Sequence, residues 1–284
     1  MITNNFSFSI LIPSWNNLPF LKLCIESIQK NSSEVHQIIV HVNDGSDGTL
    51  EWLKSQKIDF THSEENIGIC KALNYSFAKA NQNYIVYMND DMYVLPNWDL
   101  NLIKEIKLLP NSNFYLSATL LEPIAKGNSS VISPAEFGTD IKSFQEEKLL
   151  KEFESFSFED WSGASWPPSL VHRDLWEKVN GYSEEFSPGF YSDPDFSMKL
   201  WNIGVRVFKG VAASRVYHFQ SKSLARIVKN DGRKQFYEKW GITASFFDKY
   251  FIKKGQKFQS KLESPSSYKI FLNKLKVKFY KILK

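Results

Sequence analysis

Residues 84–91 read YIVYMNDD, an apolar run that ends abruptly in an amide and two carboxylates. The apolar part predicts a buried strand. Three similar runs lie upstream, at residues 8–12 (FSILI), 37–42 (QIIVHV) and 58–62 (IDFTH), and the intervening segments with helical spacing are residues 18–30, 49–56 and 69–80. This alternation favours a parallel sheet with crossover helices, in which ligands bind beyond the carboxyl ends of the strands.

The composition is that of a globular protein. The chain has 284 residues, of which 43% are hydrophobic and 23% charged, so one α/β unit with an appended segment is expected. No apolar run reaches the ~18 residues of a membrane span, and residues 1–5 do not begin a secretory signal. The two cysteines, Cys24 and Cys70, lie in helix-like apolar patterns, which excludes a disulfide scaffold and favours a cytoplasmic location.

The second half of the chain has a less regular pattern. Residues 111–161 mix short apolar runs with Gly, Pro and Ser, and we predict no regular element there. Beyond them the pattern predicts helices at residues 170–179 and 195–203 and strands at residues 205–208 and 213–218. The boundaries that follow are 1–110 and 111–223 for the two halves of one domain and 224–284 for a helical, basic extension.

The C-terminal segment carries the positive charge. Residues 253–284 contain ten lysines and one glutamate, which leaves the rest of the chain with a net negative charge. The apolar residues 271, 275, 279, 282 and 283 fall near one helical face among these lysines, a pattern typical of a helix on an anionic membrane surface. The alternatives are that this face docks on the body or forms a dimer contact. Nucleic acid is not expected as a partner, since no nucleic-acid motif is present.

Several carboxylates follow predicted strands or precede a helix. Asp90 and Asp91 end the fourth strand, where a divalent ion would relieve their repulsion, although a solvated turn gives the same pattern. Asp44 follows the second strand and suits either a nucleobase hydrogen bond or a helix-capping turn. Asp193 lies just ahead of a predicted helix, as a general base or as an N-cap. His218 ends a strand and is either a metal ligand or structural.

Taken in order, these features resemble an inverting glycosyltransferase of family two with the GT-A fold. The segments that carry the resemblance are ILIPSWNN (10–17), VNDGSDGT (42–49), ENIGICKALN (65–74), YMNDDMYVLPNW (87–98), LVHRDLWEKVNGYSEEF (170–186), YSDPDFSMKLWNIG (191–204) and VYHFQSKS (216–223). They cover roughly three quarters of the chain and leave the basic C-terminal segment outside. The resemblance implies a Rossmann-like, mostly parallel sheet flanked by helices, with a C-terminal helical tail.

The resemblance also implies that the half at 1–110 binds the nucleotide sugar and that the half at 111–223 binds the acceptor and carries out catalysis. It assigns a role to each matched residue. The donor-nucleotide positions are Pro13, Trp15, Asn17, Asp44, Asn66, Gly68, Lys71 and Asp90. Among them, Trp15 stacks on the base and Asp44 hydrogen-bonds it. The resemblance assigns Asp91 to a divalent metal, Mn²⁺ or Mg²⁺, with His218 as an additional ligand. It makes Asp193 the catalytic base, with Asp195 as a second candidate, and Trp166 and Asp195 the acceptor side.

The chain departs from the family pattern at two positions. The common Asp-x-Asp signature reads Asn89-Asp90-Asp91, so that only its last carboxylate, the one a metal needs, is kept. The common Glu-Asp pair reads Ser192-Asp193, so the Glu is lost. These departures keep a catalytically inactive nucleotide-sugar- or glycan-binding module among the alternatives.

The expected reaction is sugar transfer from a UDP-, GDP- or dTDP-linked donor to a glycan or lipid-linked acceptor. Such a transferase would act in the synthesis of a cell-surface glycan, at the inner face of the cell membrane. A nicotinamide oxidoreductase is excluded, since Gly-x-Gly-x-x-Gly does not follow the first strand, and a P-loop enzyme lacks its Gly-Lys-Ser/Thr. A Mg²⁺-dependent phosphohydrolase or nucleotidyltransferase stays open, because Asp90 and Asp91 suit either.

Overall fold

The computed structural model of the protein describes residues 6–220 and 229–282. Its strands are β1 (Phe8–Trp15), β2 (Gln37–Asn43), β3 (Asp59–Ser63), β4 (Tyr84–Tyr87), β5 (Met92–Val94), β6 (Phe114–Leu121), β7 (Val131–Ile132), β8 (Trp161–Ser162), β9 (Ser169–His172) and β10 (Val207–His218). Its helices are α1 (Leu18–Asn31), α2 (Thr49–Gln56), α3 (Gly68–Phe77), α4 (Trp98–Leu108), α5 (Glu146–Glu152), α6 (Arg173–Lys178), α7 (Ser192–Asn202), α8 (Gly232–Trp240), α9 (Ala244–Phe246) and α10 (Ser267–Ile282). Parts of the sequence predictions at residues 1–5, 221–223, 283 and 284 lie outside the described residues.

One mixed sheet organises the fold, in the order β3-β2-β1-β4-β9-β6-β10-β5. Strands β3, β2, β1 and β4 are mutually parallel, as are β6 and β10, whereas β9 and β5 run antiparallel to their neighbours. The predicted α/β sheet flanked by helices, with a helix at the C-terminus, is therefore confirmed.

Apolar side chains cover both faces of the sheet. Helices α1 and α4 bury Ile25 and Leu102 on one face, while α3 and α7 bury Leu73 and Phe196 on the other. The two cysteines are buried and unpaired in α1 and α3, as their patterns predicted. Buried on both faces, the sheet holds its strand ends in fixed positions, and those ends carry the polar residues.

Three sequence predictions in the second half are wrong. The stretch 111–161 contains β6, all eight of whose residues are buried. The helix predicted over 170–179 begins only at Arg173, because the residues before it form β9, inserted between β4 and β6. The two strands predicted between 205 and 218 are one strand, β10, with an irregularity between Val211 and Arg215.

The start of α7 also differs from the prediction. The helix begins at Ser192 rather than at residue 195, with Tyr191 as its N-cap in the left-handed region (φ 69°). Asp193 therefore lies inside the first helical turn instead of just ahead of the helix. The favourable field of the N-terminal turn still acts on its carboxylate.

The C-terminal segment is folded onto the body. Residues near 254–258 run alongside residues 160–163, where Ser162 N donates to Gln256 O at 2.8 Å and Gly255 N to Ser162 O at 3.0 Å. Further on, α10 contacts the region of α8 and α9 through Asn273, whose Oδ1 accepts a hydrogen bond from Thr243 N, and Val277 of the same helix is buried. In the described ranges, no helix combines the length and the apolarity that crossing a bilayer requires.

Candidate active site

A first cavity of about 210 Å³ opens where β1, β2, β4 and β10 end. Its walls include seven of the predicted site residues: Pro13, Trp15, Asn66, Gly68, Asp90, Asp91 and His218. They lie near the end of β1, after β4, at the end of β10 or around the start of α3. The carboxyl ends of the strands therefore bring together residues that are up to 205 positions apart in the chain.

The two carboxylates at the end of β4 lie on the floor of this cavity. Asp90 and Asp91 are 9% and 5% exposed, respectively. Ser14 Oγ donates to Asp90 Oδ2 at 2.7 Å, which fixes the Asp90 side chain against the end of β1. On the other carboxylate, Asp91 Oδ1 lies 3.4 Å from His218 Nε2. Each carboxylate thus has a polar partner in the wall of the cavity.

The imidazole of His218 lies between two carboxylates. Its Nδ1 is 2.8 Å from Glu122 Oε1, on the side opposite Asp91. Burial on its own lowers the pKa of His218, but Asp91 and Glu122 outweigh it and raise this pKa to about 9. Gln220 Nε2 donates to Glu122 Oε2 at 2.5 Å, so Glu122 is held from both sides.

The residues present fit a divalent cation only in part. Among residues 6–220 and 229–282, no group of three or more His, Cys, Asp or Glu side chains is arranged to hold an ion alone. Asp91 and His218 nevertheless offer an oxygen and a nitrogen ligand on the wall of one cavity. Oxygens of a bound diphosphate would have to supply the other ligands, which is how Mg²⁺ and similar ions bind at substrate phosphates.

Hydrogen bonds join the turn after β2 to the loop after β1. Asn16 Nδ2 donates to Asp44 Oδ2 at 2.8 Å, and Gly45 N donates to Asn16 Oδ1 at 3.0 Å. Hydrogen bonds from Ser46 and Asn16 lower the pKa of Asp44, so its carboxylate is ionised at neutral pH. Asp44 is not among the residues that line the cavity, although its neighbour Asn43 is.

The N-terminus of α3 faces the cavity through Gly68 and Ile69. Gly68 has φ +79°, and a Cβ there would lie 2.7 Å from Pro188 Cα, so only glycine fits. Ile69 N donates to Pro188 O at 2.9 Å. This contact joins the start of α3 to the loop before α7, and Pro188 itself lines both this cavity and the next.

A second cavity of about 450 Å³ adjoins the first. The residues lining both are Ile69, Tyr87, Asn89, Pro188 and His218. Of the predicted site residues, Asp193 and Trp166 line only the second cavity. The site therefore has two compartments, with Asp91 in the first, Asp193 in the second, and His218 in the wall of both.

Asp193 occupies an apolar and aromatic environment. Its Oδ1 accepts a hydrogen bond from Tyr182 Oη at 3.3 Å. Burial raises the pKa of Asp193 to about 7, against the opposing effects of the Tyr182 hydrogen bond and the Lys254 charge. A carboxylate with this pKa can both take and hold a proton near neutral pH, as a general base requires.

Trp166 and Lys254 form another part of the second cavity. The Trp166 ring stacks on Trp161 with centroids 4.8 Å apart, and the Lys254 ammonium lies 4.4 Å from the Trp166 centroid. Asp248 Oδ2 lies 3.6 Å from the same ammonium. A Cβ at Gly163 would lie 2.5 Å from Lys254 Cα, so glycine is required for this close approach. The C-terminal extension thus contributes a cation to the cavity.

Four predicted site residues line neither cavity: Asp44, described above, and Asn17, Lys71 and Asp195. Asn17 is the N-cap residue of α1, and Lys71 lies on α3. Asp195 is fully buried, and its Oδ1 accepts a hydrogen bond from Trp240 Nε1 at 2.9 Å. The same oxygen forms an ion pair with Lys239 Nζ, also at 2.9 Å. Because Asp195 joins α7 to α8 and lines neither cavity, its position does not support a role as a base or in acceptor binding.

Sequence reasoning missed several residues that the site contains. Ser14, Glu122, Gln220, Tyr182 and Lys254 all contact predicted site residues or line a cavity. Glu122 follows β6 directly, so recognising that strand would have identified it by the same argument that identified Asp91. Lys254 lies in the extension, where neither motif nor resemblance offered a signal.

Comparison with known proteins identifies a family domain in the first half of the chain. Residues 9–132 match the family model described as Glycosyl transferase family 2. This part of the chain is therefore a family-2 glycosyltransferase domain. An uncharacterized glycosyltransferase of Haemophilus influenzae is 24% identical over 194 residues, which cover 68% of this chain and 61% of that protein. Another, of Rickettsia bellii, is 27% identical over 128 residues, which cover 43% of this chain and 18% of that protein. The chain thus spans less than two thirds of either relative.

Solved structures share the fold of this chain. GalNAc-T7, solved with UDP, GalNAc and Mn²⁺, superposes with a TM-score of 0.60 at 15% identity, over 87% of this chain and 50% of that one. Staphylococcus aureus TarS 1–349 with UDP gives 0.56 at 14% identity, over 82% and 63%. A mannosyltransferase of Pyrobaculum calidifontis with GDP-Man and Mn²⁺ gives 0.52 at 16% identity, over 76% and 57%. At these identities the likeness establishes the GT-A fold.

Proposed function

We propose that the protein transfers a sugar, with inversion, from a nucleoside-diphosphate sugar to a hydroxyl of a glycan or lipid-linked acceptor. The observation that carries this proposal is the pair of adjoining cavities, one with Asp91 and the other with Asp193. Synthesis of a cell-surface glycan at the inner face of the cell membrane is part of the same proposal. Support for the donor class comes from structural neighbours solved with UDP, UDP-GlcNAc and GDP-Man.

The first cavity suits the nucleoside diphosphate. Trp15 lines this cavity and offers an aromatic surface to the base. Asp44, in the turn after β2, is ionised and offers a hydrogen-bond acceptor. The N-terminus of α3 at Gly68 has no acidic residue in its first turn. The positive end of the helix dipole favours phosphate oxygens there, whereas the N–H groups of Gly68 and Ile69 already donate to Asn66 Oδ1 and Pro188 O.

Asp91 and His218 are the residues we propose to hold Mn²⁺ or Mg²⁺. When bound, the ion supplies positive charge that stabilises the leaving diphosphate. Glu122 orients the imidazole, because its contact with Nδ1 directs Nε2 toward Asp91. Asp90, fixed by Ser14, faces the same cavity and is proposed to contact the ribose or the sugar.

The second cavity suits the acceptor. Asp193 accepts the proton of the acceptor hydroxyl, and Tyr182 keeps the carboxylate oriented by donating to its Oδ1. Since Asp193 and the diphosphate occupy different compartments, the hydroxyl attacks the anomeric carbon from the side opposite the leaving group. Attack from that side inverts the anomeric centre.

The test measures binding of the donor first, and then the release of nucleoside diphosphate that depends on the acceptor. A thermal-shift screen of UDP-, GDP- and dTDP-sugars with and without Mn²⁺ identifies the donor, since a ligand at 100 times its Kd adds about 2.7 kcal/mol of stability. Release of the nucleoside diphosphate is then measured with and without candidate acceptors. Acceptor-dependent release supports the transferase. Equal release without acceptor indicates a hydrolase, and donor binding with no release under any condition indicates an inactive binding module.

Trp15→Ala is expected to weaken nucleotide binding while the fold is kept. Base stacking on an aromatic ring contributes about 1–3 kcal/mol in comparable nucleic-acid sites. The measurement is the Kd of the nucleoside diphosphate by calorimetry, with Trp52→Ala as the matched control, because Trp52 lies on α2 away from both cavities. Unchanged affinity in a folded Trp15→Ala protein would make this ring a packing residue.

The turnover rate is expected to fall as pH is lowered through about 7, because Asp193 acts as a base only when ionised. Lys254→Met should move this acidic limb to higher pH, since removing the nearby cation raises the pKa of Asp193 further. Lys253→Met, an exposed neighbour, serves as the control and should leave the limb in place. A pH profile that is flat between pH 5 and 8, or is unmoved in Lys254→Met, contradicts the assignment.

A further inference from the structure

Helix α10 is attached to the body by one face. Val277 is 3% exposed, Ile270 packs against the apolar core, and Asn273 Oδ1 accepts a hydrogen bond from Thr243 N at 2.9 Å. At the same face the Tyr280 ring lies 6.1 Å from that of Tyr237. The orientation of the helix about its own axis is therefore fixed.

The opposite face of α10 is apolar and exposed. Its members are Tyr268 (69% exposed), Phe271 (56%), Leu272 (45%), Phe279 (63%) and Ile282 (76%), with Leu275 partly buried among them. At about 100° per residue, this stripe lies diametrically opposite the attached face. The sequence prediction named residues 271, 275, 279 and 282 as one face; the helix docks through the other face and leaves this one outward.

Lysines flank the outward stripe on both sides. By the same helical spacing, residues 269 and 276 fall along one edge and residues 274, 278 and 281 along the other. No Asp or Glu lies between residues 267 and 282, so the helix carries five positive charges and no negative one. A grouping of exposed aromatic and aliphatic side chains this dense needs a partner that is apolar at its centre and anionic at its rim.

We propose that α10 binds the surface of an anionic phospholipid membrane, with its outward stripe among the acyl chains and its lysines at the headgroups. This is the arrangement of an interfacial helix, and lysine stems reach the headgroups from both edges of the stripe. Helix α10 would then be the element that holds the protein at the membrane, and anionic phospholipids would be the lipids it binds. This binding does not depend on the sugar-transfer activity.

A second copy of the chain fits this face less well. In a two-fold contact between two α10 helices, the same residues meet on both sides, so the lysine edges of one copy face those of the other. That repulsion opposes the burial of the stripe. An anionic lipid surface removes the conflict, since each lysine near such a surface contributes favourably.

Co-sedimentation of the full chain with vesicles tests the inference. Vesicles of phosphatidylglycerol and phosphatidylcholine are compared with phosphatidylcholine alone, at low and high salt, without nucleotide. We expect binding to the anionic vesicles that high salt weakens. The double variant Phe271→Ser/Phe279→Ser, and separately Lys274→Glu/Lys278→Glu, should each bind at least about tenfold more weakly.

Matched controls use equally exposed residues elsewhere. Val35→Ser/Leu108→Ser removes two apolar side chains that are 89% and 79% exposed, and Lys54→Glu/Lys104→Glu reverses two exposed lysines. Both controls should bind the vesicles as the parent chain does.

Equal binding to neutral vesicles, no binding, or loss of binding in the controls to the same degree overturns the inference. A concentration-dependent dimer that Phe271→Ser/Phe279→Ser abolishes, without vesicle binding, assigns the face to a second copy instead. Nucleotide binding measured without vesicles tests the proposed function separately, so the two failures are distinguishable.

Discussion

Asp193→Asn is expected to lower kcat by about 10²–10⁴-fold while leaving the affinity for the donor nearly unchanged. Asparagine keeps the size of the side chain and can still accept the hydrogen bond from Tyr182, but it cannot take the proton of the acceptor hydroxyl. Because Asp193 lines only the second cavity, the donor compartment is unaltered. The measurements are steady-state transfer rates and donor Kd by thermal shift.

Asp174→Asn is the matched control for this variant. Asp174 is the second residue of α6, as Asp193 is the second residue of α7, but its side chain is 64% exposed and lines neither cavity. Turnover should be unchanged. If Asp193→Asn lost donor affinity as strongly as turnover, Asp193 would be structural. If Asp195→Asn were the variant that lost turnover with folding and donor binding intact, the base would have to be reassigned.

The first half of the fold was predictable because its signals are local. Helix α2 was predicted with its observed bounds, and β1, β2 and β4 were predicted within three residues at each end. In these elements, a buried run is followed directly by a turn or a cap, so hydrophobic pattern and turn chemistry agree.

The second half of the fold was harder to predict, because its strands form only by pairing with strands that are distant in the sequence. In β9, Leu170 and Val171 are followed by Leu175 and Val179, a spacing that suits a helix face, so only insertion between β4 and β6 makes the first residues a strand. In β6, small polar residues such as Ser117 and Thr119 interrupt the apolar run, yet each is buried because the sheet covers both faces. Neither fact is encoded in the local pattern.

The residues of the candidate site also differ in whether a local sequence signal identifies them. Asp90, Asp91 and His218 were identified because each ends a strand or lies beside a recognisable motif. Glu122 was missed with its strand, and Lys254 was missed because the extension folds back over residues 160–163. The resemblance preferred Asp193 to Asp195 by motif position alone; the burial of Asp195 and its contacts with Trp240 and Lys239 supply a physical reason.

The other large expected effect is at Asp91, whose replacement by alanine should abolish transfer and remove the dependence of nucleotide binding on Mn²⁺. Asp91 Oδ1 lies 3.4 Å from His218 Nε2, and Asp91 shares a cavity wall with the start of α3. Without its carboxylate, His218 is the only one of the two proposed ligands that is left, and one ligand does not hold a hard divalent ion.

The measurement is the thermal shift produced by UDP, GDP or dTDP with and without Mn²⁺, in the parent chain and in Asp91→Ala. We expect the stabilisation that requires Mn²⁺ to disappear, while any metal-independent stabilisation from Trp15 and α3 persists. Asp59→Ala is the control, because Asp59 is exposed on the outermost strand, β3, and should leave both effects intact. Metal-stimulated turnover near the parent level in Asp91→Ala would show that the ion is held elsewhere. Loss of all nucleotide binding, with or without Mn²⁺, would instead mean that Asp91 shapes the cavity itself, since the base and helix contacts do not involve its carboxylate.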